Sequence, residues 1–268
     1  MTTAPPIVEA HRQTRGLRFA PFPELLGRSP APDQGWRPLV ELDLDPAAEP
    51  AGFTLAAVLR AEVDHSTPGP HAVHALRTLT RELVFAMSAS LYLTGSATVF
   101  DERDWLVREV GRAAASTEPA LLLAGARTGT DRAAAEVLLT IITPILDGIR
   151  RATRVGRRTL SSYVVDTASF AMINLARQLG RDRVAAWSRA EEFAEALYEA
   201  GLPRLSRPEL ARYRGDDPAG VWAVRGACCL DFKDPGHGYC LTCPLLDAEE
   251  RTRRWQATTP AVNARIRG

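Results

Sequence analysis

The sequence predicts a mainly α protein: a helical, bundle-like body followed by a short C-terminal module built around cysteines. Two observations carry this reading. Between Phe53 and Gly201 apolar residues recur at spacings of three and four in successive long stretches, the signature of amphipathic helices. All four cysteines then lie between positions 228 and 243. Nine of the 19 prolines fall within the first 50 residues, so regular helix is not expected there. Residues 1–52 read as an extended Pro-rich arm, with Leu42 and Leu44 alternating with acidic residues as a short strand would.

The helical body, 53–220, opens with a helix from about His71 to Thr94. There Leu76, Leu79, Leu83, Met87 and Leu91 share one face, and Gly95 supplies the stop. The stretch 100–129 fits strands or short helices equally well and is left unassigned. Asp131 is the expected N-cap of a second helix whose Val137, Ile141, Ile145 and Ile149 step by four, with Pro144 expected to bend it. Leu160, Val164, Ala168, Ala171, Leu175 and Leu179 mark a third. Beyond Gly180 a fourth runs from Asp182 to Ala200, with Val184, Trp187, Ala194 and Leu197 facing inward. Four amphipathic helices must bury their stripes on one another. After Gly201 the prolines, and the Gly-Asp-Asp-Pro sequence at 215–218, break the periodicity. Val221–Val224 reads as a short extended lead into the cysteine module, 221–246, and 247–268 as a tail.

Composition narrows the function classes. The 33 basic and 32 acidic residues nearly cancel, which removes any global attraction to nucleic acid or to a membrane surface. A basic recognition helix is not apparent either. The most apolar run, Ala133 to Ile149, is interrupted by Glu136 and Asp147 and is shorter than the ~20 residues of a membrane span. The opening residues lack the apolar core of an export signal. A cytoplasmic location is expected, where thiols stay reduced and clustered cysteines hold a metal or do redox chemistry rather than form disulfides.

The cysteines are spaced as Cys228-Cys229, ten residues, Cys240, two residues, Cys243. Pro235-Gly236-His237-Gly238 can fold the loop back and bring the two pairs together. Four thiolates suit a tetrahedral zinc ion or an iron-sulfur cluster. Adjacent cysteines chelate one ion poorly, because their Cβ atoms diverge in extended backbone. Two iron atoms relax that demand, so the tandem pair favours a binuclear cluster while zinc stays open.

The stretch Arg225-Gly-Ala-Cys228-Cys229-Leu-Asp-Phe-Lys-Asp-Pro-Gly-His-Gly-Tyr-Cys240-Leu-Thr-Cys243-Pro244 resembles the C-terminal signature of the FhuF-type ferric siderophore reductases. The likeness includes Arg225, Leu230, the Gly-x-Gly-Tyr before Cys240 and Pro244. It is tight over about twenty residues and looser over Arg157 to Asp166. Ala227 and Asp231 depart from the residues frequent in that family at those places. The resemblance implies a [2Fe-2S] cluster on Cys228, Cys229, Cys240 and Cys243. It also implies an oxidoreductase that passes one electron to siderophore-chelated Fe(III) and releases Fe(II) in the cytoplasm. No catalytic residue is expected beyond the cluster, since the cofactor carries the chemistry. No G-x-G-x-x-G follows a strand, so a ferredoxin or a reductase is expected as external electron donor. An iron-sulfur redox sensor and a zinc-stapled siderophore-binding module without turnover are the alternatives.

Other residues were weighed. Arg150, Arg151, Arg154, Arg157 and Arg158 form either a solvated helix end before Gly156 or a docking surface for an acidic ferredoxin or for siderophore carboxylates. His71 and His74 could share a metal only with a third ligand that is not evident. His237 could hydrogen-bond a cluster sulfur, Tyr163 and Asn174 could face a cleft, and Trp222 could shield the cluster or belong to the core.

Overall fold

The computed structural model describes residues 4–49, 52–61, 68–109, 117–212 and 220–267. Among these the chain forms seven α-helices and three small sheets, the mainly α architecture that the periodicity predicts. The break at 215–218 lies outside the described residues.

The first departure from the sequence reading is at the N-terminus. Helix α1 spans Pro6–Thr14, with Pro5 at its N-cap and Pro6 in its first turn. Proline is favoured there, because the first helical N–H has no intrahelical acceptor to lose. Ile7 and Ala10 are fully buried, and the Ile7 amide donates to Thr98 Oγ1 at 2.9 Å. The following segment contributes strands β1 (Glu24–Leu26) and β2 (Arg37–Pro38). Leu42 is buried, but it follows a single 3-10 turn rather than sitting in a strand, and only Asp43 bridges to Thr54. The proline-rich region is thus a folded layer rather than an arm.

Helix α2 (Leu55–Ala61) leads to α3 (Pro68–Thr94), which packs against α1, α2 and three later helices. Leu76, Leu79, Leu83, Met87 and Leu91 are all buried, as their spacing predicts. From Leu83 on, the helix is apolar almost all round, which suits burial on every side. Its buried hydroxyls are satisfied locally: Ser88 donates to the Val84 carbonyl at 2.7 Å and Ser90 meets Thr98 Oγ1 at 2.8 Å. The unassigned stretch is mostly strand. It holds β3 (Ala97–Val99), β4 (Trp105–Glu109), β5 (Thr117–Leu122) and β6 (Arg127–Gly129). The order β1-β5-β4-β2 makes one sheet, with β1 parallel to β5, and β3 pairs antiparallel with β6.

Helix α4 spans Asp131–Thr153 and runs through an exposed Pro144. Its N-cap is Thr130, one residue earlier than expected: the Thr130 hydroxyl accepts from the Ala133 amide at 3.2 Å. Asp131 is thereby released to bind Arg189 at 2.7 Å, tying α4 to α6. Gly148 is a point of close approach, since a Cβ there would lie 3.0 Å from Leu55 Cδ2. Helix α5 (Arg157–Gln178) packs on α3 and α6. It buries Leu160, Val164, Ala168, Ala171 and Leu175 as predicted, together with Ser161, Ser162, Asp166 and Ser169. Helix α6 (Arg183–Glu199) is capped by Asp182, which accepts from the Val184 amide at 2.7 Å. Trp187 and Leu197 face inward, but Val184 and Ala194 are only half-buried; Ala186, Ala190 and Phe193 fill the core instead.

Beyond it, β7 (Glu209–Arg212) pairs antiparallel with β8 (Val221–Val224), and α7 (Ala248–Arg267) follows the cysteines. Ala223 packs with Ile173 of α5 and Trp187 of α6, while Trp222 stacks on Trp255 of α7 with ring centroids 5.7 Å apart. The C-terminal region is therefore fastened to the body by its strand and covered by a helix where a tail is expected.

Candidate metal centre and adjoining cleft

The site begins with β8, whose end delivers the chain to Gly226. The Asp166 carboxylate, buried in the middle of α5, accepts the Gly226 amide at 2.8 Å and the Ala227 amide at 3.4 Å. Gly226 is required by close packing: a Cβ would fall 2.6 Å from the carbonyl carbon of Arg207. Two residues on, Cys228 and Cys229 begin a loop that closes when the Arg225 amide donates to the Thr242 carbonyl at 2.9 Å. The turns inside it follow the expected Pro-Gly-His-Gly segment, with the His237 amide donating to the Asp234 carbonyl at 3.1 Å and Gly236 at φ +84°. Leu230 also adopts positive φ, 68°, a conformation that costs a non-glycine residue energy and persists where surroundings enforce it. Here the start of α3 bears on it, for a Cβ on Gly69 would lie 2.7 Å from Leu230 Cδ1. From α7, Arg254 donates to the Tyr239 carbonyl at 2.9 Å and holds the far side of the loop.

This closure brings the four thiols together. Cys228 Sγ lies 3.8 Å from Cys243 Sγ, and Cys229 interacts with both Cys228 and Cys240. Two thiolates on one tetrahedral metal at ~2.3 Å lie about 3.8 Å apart, so the Cys228–Cys243 separation fits a shared metal atom. Among the described residues no three His, Cys, Asp or Glu side chains converge as ligands of a single ion. Cys243 is fully buried and Cys229 nearly so, whereas Cys228 and Cys240 are half-buried.

Electrostatics among the four thiols are uneven. The Cys229 thiol, donating to Cys228, holds Cys228 below its usual range and is itself pushed up to about 11. Its contact with Cys229 and then burial push Cys240 up. Arg225 offsets this by drawing both Cys229 and Cys240 down. The Arg225 guanidinium sits 5.6 Å from the centre of the Phe170 ring, with its Nε 3.3 Å from Thr242 Oγ1. Burial pushes Asp166 up to about 7, against the pull of the Gly226 amide, Arg225 and the Ala227 amide.

Cys229 also borders a cleft of about 570 Å³ between α3, α5 and the loop after α1. That volume lies within the range of small-molecule sites. Helix α3 contributes His74, Arg77 and Arg81; α5 contributes Tyr163, Phe170 and Asn174; the loop contributes Arg18 and Phe19. The polar stripe at 74, 77 and 81, opposite the apolar one, follows helical spacing and is the sequence signal for this wall. Tyr163 and Asn174 do face a cleft.

His74 Nε2 lies 3.2 Å from Asp231 Oδ1, so it reaches the cysteine loop rather than a metal shared with His71. His237 is exposed, and Trp222 stacks on Trp255. Arg150, Arg151, Arg154, Arg157 and Arg158 are exposed and do not line the cleft. They straddle a corner rather than ending one helix: α4 stops at Thr153, Arg154 caps it at φ 59°, and Gly156 is the N-cap of α5. Arg150 and Arg157 both approach Asp147, at 3.7 and 3.6 Å.

Among the described residues no helix is long and apolar enough to cross a membrane. Compared with known proteins, the chain matches no family model, no curated protein and no solved structure.

Proposed function

We propose that this chain is a ferric-siderophore reductase. The observation that carries the reading is adjacency: Cys229, one of four gathered thiols, forms part of the wall of a cleft large enough for a chelate. A [2Fe-2S] cluster held by Cys228, Cys229, Cys240 and Cys243 would supply transfer of one electron at a time. Oxygen chelators hold ferric iron, a hard ion, far more tightly than ferrous iron, so a single electron suffices to release the metal. No general acid or nucleophile is needed, because the cluster would carry the chemistry.

The protein's own part is positional. Arg225 keeps positive charge against the Cys229 and Cys240 sulfurs. Asp166 fixes the backbone ahead of the cysteine pair. Helices α3 and α5 hold the chelate beside Cys229 rather than beside the fully buried Cys243. The electron comes from outside the chain, from a ferredoxin or a reductase. The exposed arginines at the α4–α5 corner are the surface for an acidic donor.

The test is turnover in the cytoplasm-like reducing regime. Under anaerobic conditions, protein reduced with dithionite and freed of excess reductant is mixed with a ferric siderophore and a ferrous-specific chromophoric chelator. One Fe(II) released per reduced centre supports the proposal. A reduced centre that stays reduced in the presence of every class of ferric chelate contradicts it.

A further inference from the structure

The cleft is built for a particular kind of chelate. We infer that it takes a ferric complex that is anionic and aryl-bearing, of the catecholate class, in preference to a neutral trihydroxamate; this rests on the reductase reading above.

Charge is the first reason. Four arginines, Arg18, Arg77, Arg81 and Arg225, line the cleft against two carboxylates. Both carboxylates are engaged: Asp166 accepts the Gly226 and Ala227 amides, and Asp231 lies against His74. Arg225 is committed to Thr242 and to the sulfurs, and Arg81 is ion-paired with Glu82. Arg77 makes no ion pair or hydrogen bond among the described residues and projects from the same face of α3, one turn from Arg81. A guanidinium fork binds anionic oxygens through paired, charge-assisted hydrogen bonds, which a neutral complex does not reward equally.

Ring surface is the second reason. Phe85, Phe170 and Tyr163 line the same cleft, and Phe19 on its rim is 61% exposed. Flat aromatic and guanidinium faces suit the stacked rings of a catecholate complex. An aliphatic hydroxamate would gain neither the stacking nor the charge.

Gallium(III) complexes isolate binding from electron transfer, because gallium is not reduced under these conditions. Binding to the purified full chain is followed by tryptophan fluorescence and calorimetry. The probes are a hexadentate tris-catecholate gallium complex, gallium citrate and a neutral trihydroxamate gallium complex. The tris-catecholate complex is expected to bind about 10-fold or more tighter than the trihydroxamate, with citrate between them. Arg77→Gln, at an exposed position, should weaken the tris-catecholate by about 10-fold and leave the trihydroxamate unchanged. Phe19→Ala should weaken the tris-catecholate but not citrate. Equal or tighter binding of the trihydroxamate, no binding of any complex, or an equal loss for all complexes in Arg77→Gln would overturn the inference. The two readings fail separately. Protein that binds the tris-catecholate but carries no redox centre sinks only the reductase proposal, and a working reductase that prefers the neutral complex sinks only this one.

Discussion

The Asp166 carboxylate, inside α5, accepts the Gly226 amide at 2.8 Å, two residues ahead of the cysteine pair. One buried side chain thus couples the helical body to the thiol loop. Asp166→Ala would leave two part-buried amides without their acceptor, at a cost of about 1 kcal/mol. Urea unfolding should report that loss, with Asp166→Asn, which keeps one oxygen acceptor, falling between the two. A wild-type midpoint in Asp166→Ala would mean the loop is anchored by β8 alone.

The same group sets a pH dependence. Burial raises Asp166 from 3.8 to about 7 in the folded chain, so between those values the folded state keeps a proton that the unfolded chain has released. Its stabilising contribution is complete below the lower value and is lost as pH rises through the upper one, with a limiting slope of about 1.4 kcal/mol per pH unit. Unfolding of metal-free protein measured from pH 4.5 to 7.5 should show stability falling in that window. The Asp166→Asn variant should lack this component; an unchanged profile would assign it to other groups.

Gly226→Ala tests the close approach on the other side of the strand. Its Cβ would sit 2.6 Å from the Arg207 carbonyl carbon, and backbone cannot step aside as a side-chain end can. A loss of about 1–3 kcal/mol is expected, typical of overpacking. Gly27→Ala is the control, since nothing lies within 4 Å of a Cβ there. Equal stability of both variants would show that the β7–β8 hairpin yields freely.

How far these relationships can be read from sequence depends on whether they are local. The α3 and α5 stripes, the Gly95 stop and the start of the fourth helix at Asp182 are set within a few residues, and the structure has them where the periodicity puts them. A count of prolines hides helix α1, because Pro5 and Pro6 act by position at a helix start. Strands β4 and β5 pair across a stretch whose apolar runs also fit helix, so only the pairing decides. The folding back of the cysteine loop was visible in its turn residues. The cleft was not, because His74 and Arg77 meet Tyr163, Asn174 and Arg225 across nearly the whole body. Its only local trace is the polar stripe on α3.

The α4–α5 corner yields a kinetic prediction. Reversing Arg154 and Arg157 to Glu should slow reduction by an acidic ferredoxin, most at 0.01 M salt, where the Debye length is about 30 Å. Dithionite needs no docking surface, so its rate should not change. Equal ferredoxin rates across a salt series would leave these exposed arginines as ordinary solvated charge.

If the four gathered thiols hold a binuclear iron-sulfur centre, as we propose, metal analysis will show it. Protein purified without oxygen after expression with ample iron should be reddish-brown, with about two irons and two acid-labile sulfides per chain. Cys228→Ser and Cys243→Ser should lose both the colour and the iron while keeping the helical far-ultraviolet circular dichroism of the body. One zinc per chain with no labile sulfide, in colourless protein made under those conditions, would contradict the account.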